Sequence, residues 1–333
     1  MKPRGWTTTL ILALIGTFSL SVWLGSVDLT VEQTIMAFTG RGDGNIRQIV
    51  TELRAPRAIL AILVGGGLAL SGAVFQALLR NPLADPYILG ISGGAATGAV
   101  LALALGLVSS HSWALPTAAF VGSLLAITLV LRVAVATNNR VDIRVLLLAG
   151  VVVGAFFGAC ISFILSISNA GTVRSAVLWM MGSLAGADWT TVMTVALYTL
   201  PATLGLVGLS RALNLLAIGE DTASYLGTDV ERVKIAAYVV ASLLTAAGVA
   251  ATGIIGFVGL IVPHGVRLVV GADYRTLLPL SFLAGAVFLM LADVVARTIL
   301  SPIEVPIGVI TAFIGVPLFL LLLRRSVGNA SQW

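Results

Sequence analysis

Residues suited to metal chemistry are scarce in this chain. Its 333 residues include one cysteine, Cys160, and two histidines, His111 and His264. So few side chains cannot form the usual cluster of nitrogen and sulfur ligands. The sequence therefore predicts no site for a bare metal ion, and a metal handled by this protein should arrive already chelated. A single cysteine also excludes an internal disulfide.

The lysines exclude one common way of using ATP. A P-loop requires a lysine directly after a glycine, because that lysine reaches the phosphates held by the loop. The only lysines are Lys2, which follows Met1, and Lys234, which follows Val233. We therefore expect no nucleotide cofactor of the P-loop kind in this chain and no ATP hydrolysis of its own.

Two acidic residues could couple transport to an ion gradient, which requires carboxylates inside a membrane. Asp293 precedes Arg297 by four positions, so the two can form an ion pair on one helix face. Glu304 precedes Pro306 at a predicted helix start, where a carboxylate suits the helix dipole. Both carboxylates are thus explained without ion coupling, although an ion-coupled secondary transporter working without an ATPase stays as the alternative.

The composition requires a membrane-embedded structure. Hydrophobic residues make up 58% of the chain, charged residues 10%, and the mean hydropathy is +1.07. Soluble globular domains typically carry about 25% charged residues. The fold class is therefore predicted to be an all-α polytopic membrane protein. A protein of this class contacts membrane lipid, and no feature of the sequence indicates a nucleic acid partner.

About ten segments approach the ~20 apolar residues that a transmembrane helix needs. They cover residues 7–27, 58–79, 91–108, 113–135, 143–167, 190–209, 233–252, 255–270, 277–300 and 305–323. The first is expected to be an uncleaved helix rather than a secretory signal, since it lacks a small-residue cleavage site. Alternating the loops places 13 of the 19 basic residues on one side. The positive-inside rule makes that side, with both termini, cytoplasmic.

Residues 211–234 form a polar island on the predicted cytoplasmic side. The island holds seven of the chain's 33 charged residues. Leu213, Leu216 and Ala217 recur at helical spacing, Gly219 interrupts the pattern, and Gly227 is placed to end a second short helix. We predict two short helices with a sharp bend outside the bilayer, with an ordinary solvated loop as the alternative.

Arginines mark the opposite side of the predicted topology. Arg54 and Arg57 flank Pro56, which is expected to fix the entry into the second membrane helix. They could anchor the helix end at the lipid headgroups or dock an acidic external partner. In the third segment, Gly90, Gly93 and its neighbours predict loosely wound backbone, which must lie inside the protein.

Glycines of the fifth predicted helix share one face. Gly150, Gly154 and Gly158 are spaced by four residues, which permits close helix packing. The same face could line a dimer axis or a transport pathway, because it offers room without ligands. The two interpretations are packing and pathway, and both stay open.

An internal repeat is indicated at an offset of 181 residues. Gly67 matches Gly248 and Pro82 matches Pro263, together with further glycine matches. The second and seventh helices are separated by an odd number of crossings, so the two copies should run in opposite directions. This predicts an inverted-topology repeat of helices 2–5 and 7–10, a common architecture of transporters.

Short motifs run in order along nearly the whole chain. They read RAPR at 54–57, SG at 71–72 with Gln76, NPLADP at 81–86, LAG at 148–150, WxxGS at 179–183, LNxLxxGED at 213–221, GFVGLIVPH at 256–264 with Arg267, ADxxAR at 292–297 and ExPxGVxT at 304–311. In this combination they strongly resemble the permease subunits of type II ABC importers for iron-siderophores, haem and vitamin B12.

The resemblance implies a single transmembrane permease domain over residues 1–333 and a set of partners. A second permease copy would complete a dimer, most simply a homodimer, in the bacterial cytoplasmic (inner) membrane. Two cytoplasmic ATP-binding cassette subunits would carry ATP and Mg, and a periplasmic or lipid-anchored substrate-binding protein would deliver the metal chelate. The chelate would pass along the fifth and tenth helices.

The resemblance also assigns residues to these partners. Arg54, Arg57 and Arg297 would dock the binding protein. A coupling helix pair at about 211–230 would insert into the ATPase. Its residues are Leu213, Leu216, Ala217, Ile218, Gly219, Glu220, Asp221, Thr222, Ala223, Leu226 and Gly227.

Overall fold

The computed structural model of the protein describes residues 3–135 and 141–330. These residues form helices joined by turns, with no β-strand among them. The α-helices are α1 (Pro3–Trp23), α2 (Val31–Phe38), α3 (Gly44–Gln48), α4 (Ala55–Leu78), α5 (Ile91–Ala104), α6 (Leu107–Ser110), α7 (Ala114–Ala134), α8 (Ile143–Ser166), α9 (Ala170–Met180), α10 (Trp189–Gly208), α11 (Ser210–Ile218), α12 (Glu220–Tyr225), α13 (Val230–Thr252), α14 (Val258–Val270), α15 (Tyr274–Thr298) and α16 (Ile307–Ala330).

The predicted membrane helices are all present in the described part of the chain. Seven helices are long and apolar enough to span a bilayer, and three shorter apolar helices complete the ten. The shorter α5 and α14 have 14 and 13 residues, or about 20 Å of helix, against a hydrocarbon core of about 30 Å. Backbone outside these two helices therefore has to complete each crossing, and within the bilayer it needs protein around it. The predicted fold class is confirmed.

The centre of the molecule is α4. It packs against α10, α13, α14 and α15, and nearly all its side chains are buried. A helix that is apolar on all sides, as α4 is, belongs in such an interior. Where α4 meets α15, the backbones of Gly65 and Gly285 are in contact, and a Cβ on either glycine would overlap the other's carbonyl. Glycine is therefore required for the contact between α4 and α15.

The helix packing supports the predicted repeat, but the residue offset does not. α4 packs against α15. In the repeat, the counterpart of α4 is α13 and the counterpart of α15 is α7, and α13 and α7 also pack together. At an offset of 181, however, Pro82 in the turn after α4 would match Pro263 inside α14. The starts of α4 and α13 are 175 positions apart and those of α8 and α16 are 164 apart (230 minus 55, 307 minus 143). The two halves thus correspond helix by helix, with loops of different length.

The entry into α4 differs from the expected proline start. A π-helical segment, Ile49–Arg54, runs from α3 directly into α4, so the helix continues upstream of Pro56. The wider π turn accommodates a residue without an N–H, which an ordinary helix interior does not. Arg54 lies within this segment, and its position is therefore set by helical backbone on both sides.

The glycine-rich third segment is a regular helix, contrary to the expected loose winding. Gly90 has a φ of 77° and precedes α5, which then runs without interruption. Gly94 and Gly98 instead allow α7 to approach, since a Cβ there would overlap the carbonyls of Gly122 and Ala118. The segment lies inside the protein, as predicted.

Candidate functional site

The polar island folds as the sequence predicts, into the two short helices α11 and α12, which we call the helix pair. Gly219 separates them, and its extended backbone turns the chain between Ile218 and Glu220. Gly227 follows α12 with a φ of 81°, and its N–H donates to the Ser224 carbonyl. This left-handed glycine ends the helix as predicted, because only glycine adopts that conformation freely.

Apolar side chains anchor the helix pair to the membrane helices. Leu213 and Leu216 of α11 and Ala223 of α12 are buried in the main core. The Asn214 side chain adds polar contacts, with Nδ2 2.7 Å from Asp273 Oδ1 and Oδ1 2.9 Å from the Tyr274 nitrogen. The Asn214 hydrogen bond is the main reason that the pKa of Asp273 is lowered. α11 is therefore tied to the start of α15.

The other face of the helix pair is an exposed surface with large apolar side chains. Ile218, Tyr225 and Leu226 are 71%, 90% and 63% exposed. Further exposed residues of the predicted set lie beside them: Ala217, Asp221, Thr222 and Gly227. Exposed apolar clusters with a polar surround are typical of protein interfaces. Tyr225 was absent from the predicted set, although its place one turn after Asp221 on α12 could have identified it.

Glu220 lies on the inner side of the helix pair. Its Oε2 accepts a hydrogen bond from Lys234 Nζ at 2.9 Å, and its Oε1 is 3.5 Å from Arg80 Nη2. The resemblance assigns Glu220, with Asp221, to the ATPase contact. Its carboxylate is partly exposed and also neutralises the buried Lys234, and its part in that contact stays a prediction. Sequence inspection missed Lys234, whose signal is a lysine in an apolar helix three residues after Glu231.

Buried arginines occupy the opposite end of α4. Arg54 is 5% exposed, and its guanidinium donates to the carbonyls of Val22, Trp23 and Val27. Arg297 is 4% exposed and donates to Ser21, at 2.6 Å from the carbonyl and 2.8 Å from Oγ. The two arginines thus lie at one level around the C-terminal end of α1, as expected.

Burial changes the physical basis of the predicted docking. The docking prediction assumed exposed ion pairs with a partner, whereas these two guanidinium groups hold the end of α1 in place. Docking at Arg54 and Arg297 stays a prediction, and it would require the partner to reach groups that already have hydrogen-bond acceptors.

Arg57 links two acidic residues at the same end. Its Nη2 is 2.9 Å from Asp293 Oδ1, and its Nη1 is 3.0 Å from Glu304 Oε1. Asp293 is fully buried and also lies 3.3 Å from Arg297 Nε, so the predicted pair of Asp293 and Arg297 is present. The prediction for Glu304 was incomplete, because its carboxylate pairs with Arg57 rather than only capping a helix dipole.

The helix pair and the arginine cluster are separated by the length of α4. Arg54 directly precedes this helix, and Arg80 follows it by two residues and contacts Glu220. A helix of 24 residues is about 36 Å long, which exceeds the hydrocarbon thickness of a bilayer. The two sites therefore lie at opposite ends of the central helix.

The three glycines of α8 have different surroundings. A Cβ on Gly150 would be 2.7 Å from the Ile88 carbonyl oxygen, so this position is needed for packing. A Cβ on Gly154 would meet only Gly90 Cα, at 3.8 Å, and at Gly158 it would meet no atom within 4 Å. Packing therefore explains Gly150, whereas Gly158 lies on an open face. The pathway role of Gly150, Gly154 and Gly158 stays a prediction.

An apolar recess opens beside α16. It lies between the end of α9, the loop before α14 and the first turns of α16. Its lining includes Met180, Met181, Ile254, Phe257 and Phe313. The start of α16 is fixed there by the Gly308 N–H, which donates to the Met181 carbonyl at 3.0 Å. A large apolar cargo could contact this lining without being held by charged groups.

Comparison with known proteins assigns this architecture to a family. The sequence profile of the FecCD transport family matches residues 11–325. The chain belongs to the FecCD transport family. It is 46% identical to the cobalamin import system permease protein BtuC of Halobacterium salinarum, over 83% of this chain and 73% of that protein. It is 41% identical to the hemin transport system permease protein HmuU of Yersinia pestis, over 82% of each chain.

A solved structure agrees with this assignment across the whole fold. It is described as an inward-facing conformation of a metal-chelate type ABC transporter. Its identity to this chain is 34%, its TM-score is 0.87, and the match covers 97% of this chain and 99% of the other. The expected family is confirmed: the protein is a multi-pass permease subunit of the ABC importer family for metal chelates, vitamin B12 and haem, and not a catalytic subunit.

Proposed function

We propose that this FecCD permease imports a metal chelate, namely an iron-siderophore, haem or vitamin B12, by using ATP hydrolysed on a separate subunit. The observation that carries the proposal is the helix pair, whose Ile218, Tyr225 and Leu226 are exposed although Leu213 and Leu216 anchor it firmly. A rigid element with an exposed apolar surface can transmit force to or from a docked partner. No nucleotide cofactor is assigned to this chain, and ATP and Mg belong to the partner.

The partner proposed for the helix pair is an ATP-binding cassette subunit on the cytoplasmic side, in two copies. Aromatic and aliphatic anchors surrounded by polar residues are the residues that dominate binding energy in protein interfaces. Tyr225 and Leu226 would fill a cleft on the ATPase, with Asp221 and Thr222 at the rim. In this proposal the protein lies in the bacterial inner membrane with both termini in the cytoplasm.

The second proposed partner is another copy of this permease, with the pathway between the two. α8 exposes Val152, Phe156 and Phe163, and α16 exposes Phe313. Phe313 of α16 also lines the apolar recess beside Met180 and Met181. A homodimer pairing such faces would enclose a channel lined by apolar and small side chains, suited to a bulky chelate that must slide without tight binding.

The third proposed partner is a periplasmic or lipid-anchored binding protein at the arginine end. Arg57 is the most accessible contact there, because its guanidinium reaches Glu304, whose side chain is partly exposed. A carboxylate of the binding protein could replace Glu304 at Arg57. Arg54 and Arg297 would then stabilise the docking site indirectly, because they hold the end of α1 in place.

Reconstitution tests the proposal against its alternative. The purified permease would be placed in proteoliposomes with or without the cognate ATPase, ATP and the loaded binding protein. Uptake should require all of these additions and should be insensitive to ionophores. Uptake by the permease alone, driven by a proton or sodium gradient, would establish the ion-coupled secondary transporter instead. The cargo follows from identifying the chelate that the cognate binding protein retains.

A further inference from the structure

The Lys234 side chain is buried at the base of the helix pair, and all three N–H groups of its ammonium have acceptors. It is 2% exposed. Its ammonium lies 2.9 Å from Glu220 Oε2, 2.7 Å from Glu231 Oε1 and 2.7 Å from the Val141 carbonyl oxygen. An ammonium has three N–H groups, and each has an acceptor here.

These acceptors belong to three different parts of the fold. Glu220 is the first residue of α12, Glu231 lies in the first turn of α13, and Val141 comes two residues before α8. Glu231 closes the arrangement, because its second oxygen accepts from the Val141 N–H at 2.7 Å. The backbone of Val141, just before α8, is therefore held at its N–H by Glu231 and at its carbonyl by Lys234, both of α13.

The charges within this cluster balance. Arg80 approaches the remaining oxygen of Glu220 at 3.5 Å, so two cations face two carboxylates. Lys234 is buried, whereas Glu220, Glu231 and Arg80 are partly exposed. A buried ammonium that loses its acceptors pays a desolvation cost, so the contacts of Lys234 resist separation. A displacement of α12 should therefore move the start of α8 with it rather than break the contacts singly.

We propose that Lys234 is the positioning residue that transmits motion of the helix pair to α8. The proposal rests on the proposed function, which gives the helix pair an ATPase partner and places α8 beside the pathway. When the ATPase displaces α12, Glu220 pulls on Lys234, and Lys234 together with Glu231 pulls on Val141. α8 then shifts relative to the central helix α4.

Matched variants test this connection in the complete importer reconstituted in lipid nanodiscs or proteoliposomes. Lys234→Met removes the central cation and keeps the length of the side chain. Glu231→Ala removes the acceptor of the Val141 N–H and one carboxylate of Lys234, which keeps its contacts with Glu220 and the Val141 carbonyl. The control is Arg232→Met, since Arg232 lies on the same turn but is 89% exposed and pairs only with the exposed Asp229.

Two readouts separate transmission from stability. The first is the number of cargo molecules transported per ATP hydrolysed, measured alongside the amount of ATPase that copurifies. The second is the distance between spin labels on Ser224→Cys in α12 and Leu148→Cys in α8, in a Cys160→Ser background, with and without nucleotide. Both label positions are exposed.

Lys234→Met and Glu231→Ala should lower transport per ATP at least about fivefold, the low end of typical coupling between sites. They should retain the ATPase and broaden the spin-label distances, while Arg232→Met matches the wild type. Unchanged transport per ATP in both variants, or loss of ATPase copurification in both, would overturn the proposal. If the unmodified importer itself shows no ATP-driven transport, the proposed function fails and this inference fails with it.

Discussion

Arg57 and Asp293 lie 236 positions apart in the chain and form a buried ion pair, with Arg57 Nη2 2.9 Å from Asp293 Oδ1. The pair joins the first turn of α4 to the last third of α15, the two helices that also meet at Gly65 and Gly285. The same carboxylate faces Arg297 from its own helix. Asp293 therefore fixes the arginine end of the central helix.

The first prediction concerns the stability of this cluster. Asp293→Asn should destabilise the protein by about 3–5 kcal/mol, because it leaves buried guanidinium groups without their carboxylate. The measurement is the midpoint of thermal unfolding in detergent. Glu304→Gln is the control: its partly exposed pair with Arg57 should contribute only about 0–1 kcal/mol. Equal losses in the two variants would show that burial does not determine the strength of this cluster.

The second prediction concerns the exposed face of the helix pair. Tyr225→Ala should weaken binding of the ATPase by about 2 kcal/mol, or about 30-fold in Kd, as expected for an aromatic anchor. Thermal unfolding of the permease alone should not change, since Tyr225 is 90% exposed. Ser224→Ala, on the same short helix, is the control and should leave the Kd unaltered. A Tyr225→Ala permease with the wild-type Kd would remove this residue from the interface.

The third prediction uses the pH dependence of unfolding. Asp85 precedes the turn Pro86–Leu89, and burial raises the pKa of its carboxyl from 3.8 to about 6. The folded protein thus binds this proton more tightly than the unfolded chain does. Its contribution to the free energy of unfolding is largest at low pH and falls as the pH rises from about 4 to about 6.

Asp85→Asn should remove this dependence. The unfolding temperature of the variant, relative to wild type, should increase between pH 4.5 and 6.5 and then level off. Asp273→Asn is the control, because the Asn214 hydrogen bond lowers the pKa of Asp273 and its titration falls below this range. A constant difference between Asp85→Asn and wild type across the range would contradict the raised pKa.

Local sequence patterns predicted much of this fold for a physical reason. A bilayer requires each spanning segment to be apolar and to satisfy its own backbone hydrogen bonds, so the hydropathy of one segment nearly determines its structure. The helix pair was also predictable, since its core side chains Leu213 and Leu216 and the glycines Gly219 and Gly227 are local signals. The π-helical segment before α4 could not be predicted from local patterns, because it depends on the contacts between Arg54 and the end of α1.

Pairings between distant side chains escaped the sequence analysis. The resemblance assigned Glu220 to the ATPase contact, but its pairing with Lys234, 14 positions away on another helix, was not predicted. Glu304 was explained by the following helix, whereas its partner Arg57 lies 247 positions away. A single sequence gives the charge of each residue but not the packing that selects its partner.

The last prediction tests whether the open face of α8 lines the pathway. Gly158 has no atom near its missing side chain, so Gly158→Leu should fold normally and can even gain up to about 1 kcal/mol from better helix propensity. If chelate passes along this face, the added isobutyl group narrows the passage, and transport should slow while ATPase binding and basal ATP hydrolysis persist. Gly16→Leu makes the same change at an exposed glycine of α1 that also has no atom within 4 Å of its missing side chain, and it should leave transport unchanged. Equal transport rates in the two variants would show that Gly158 faces lipid rather than cargo.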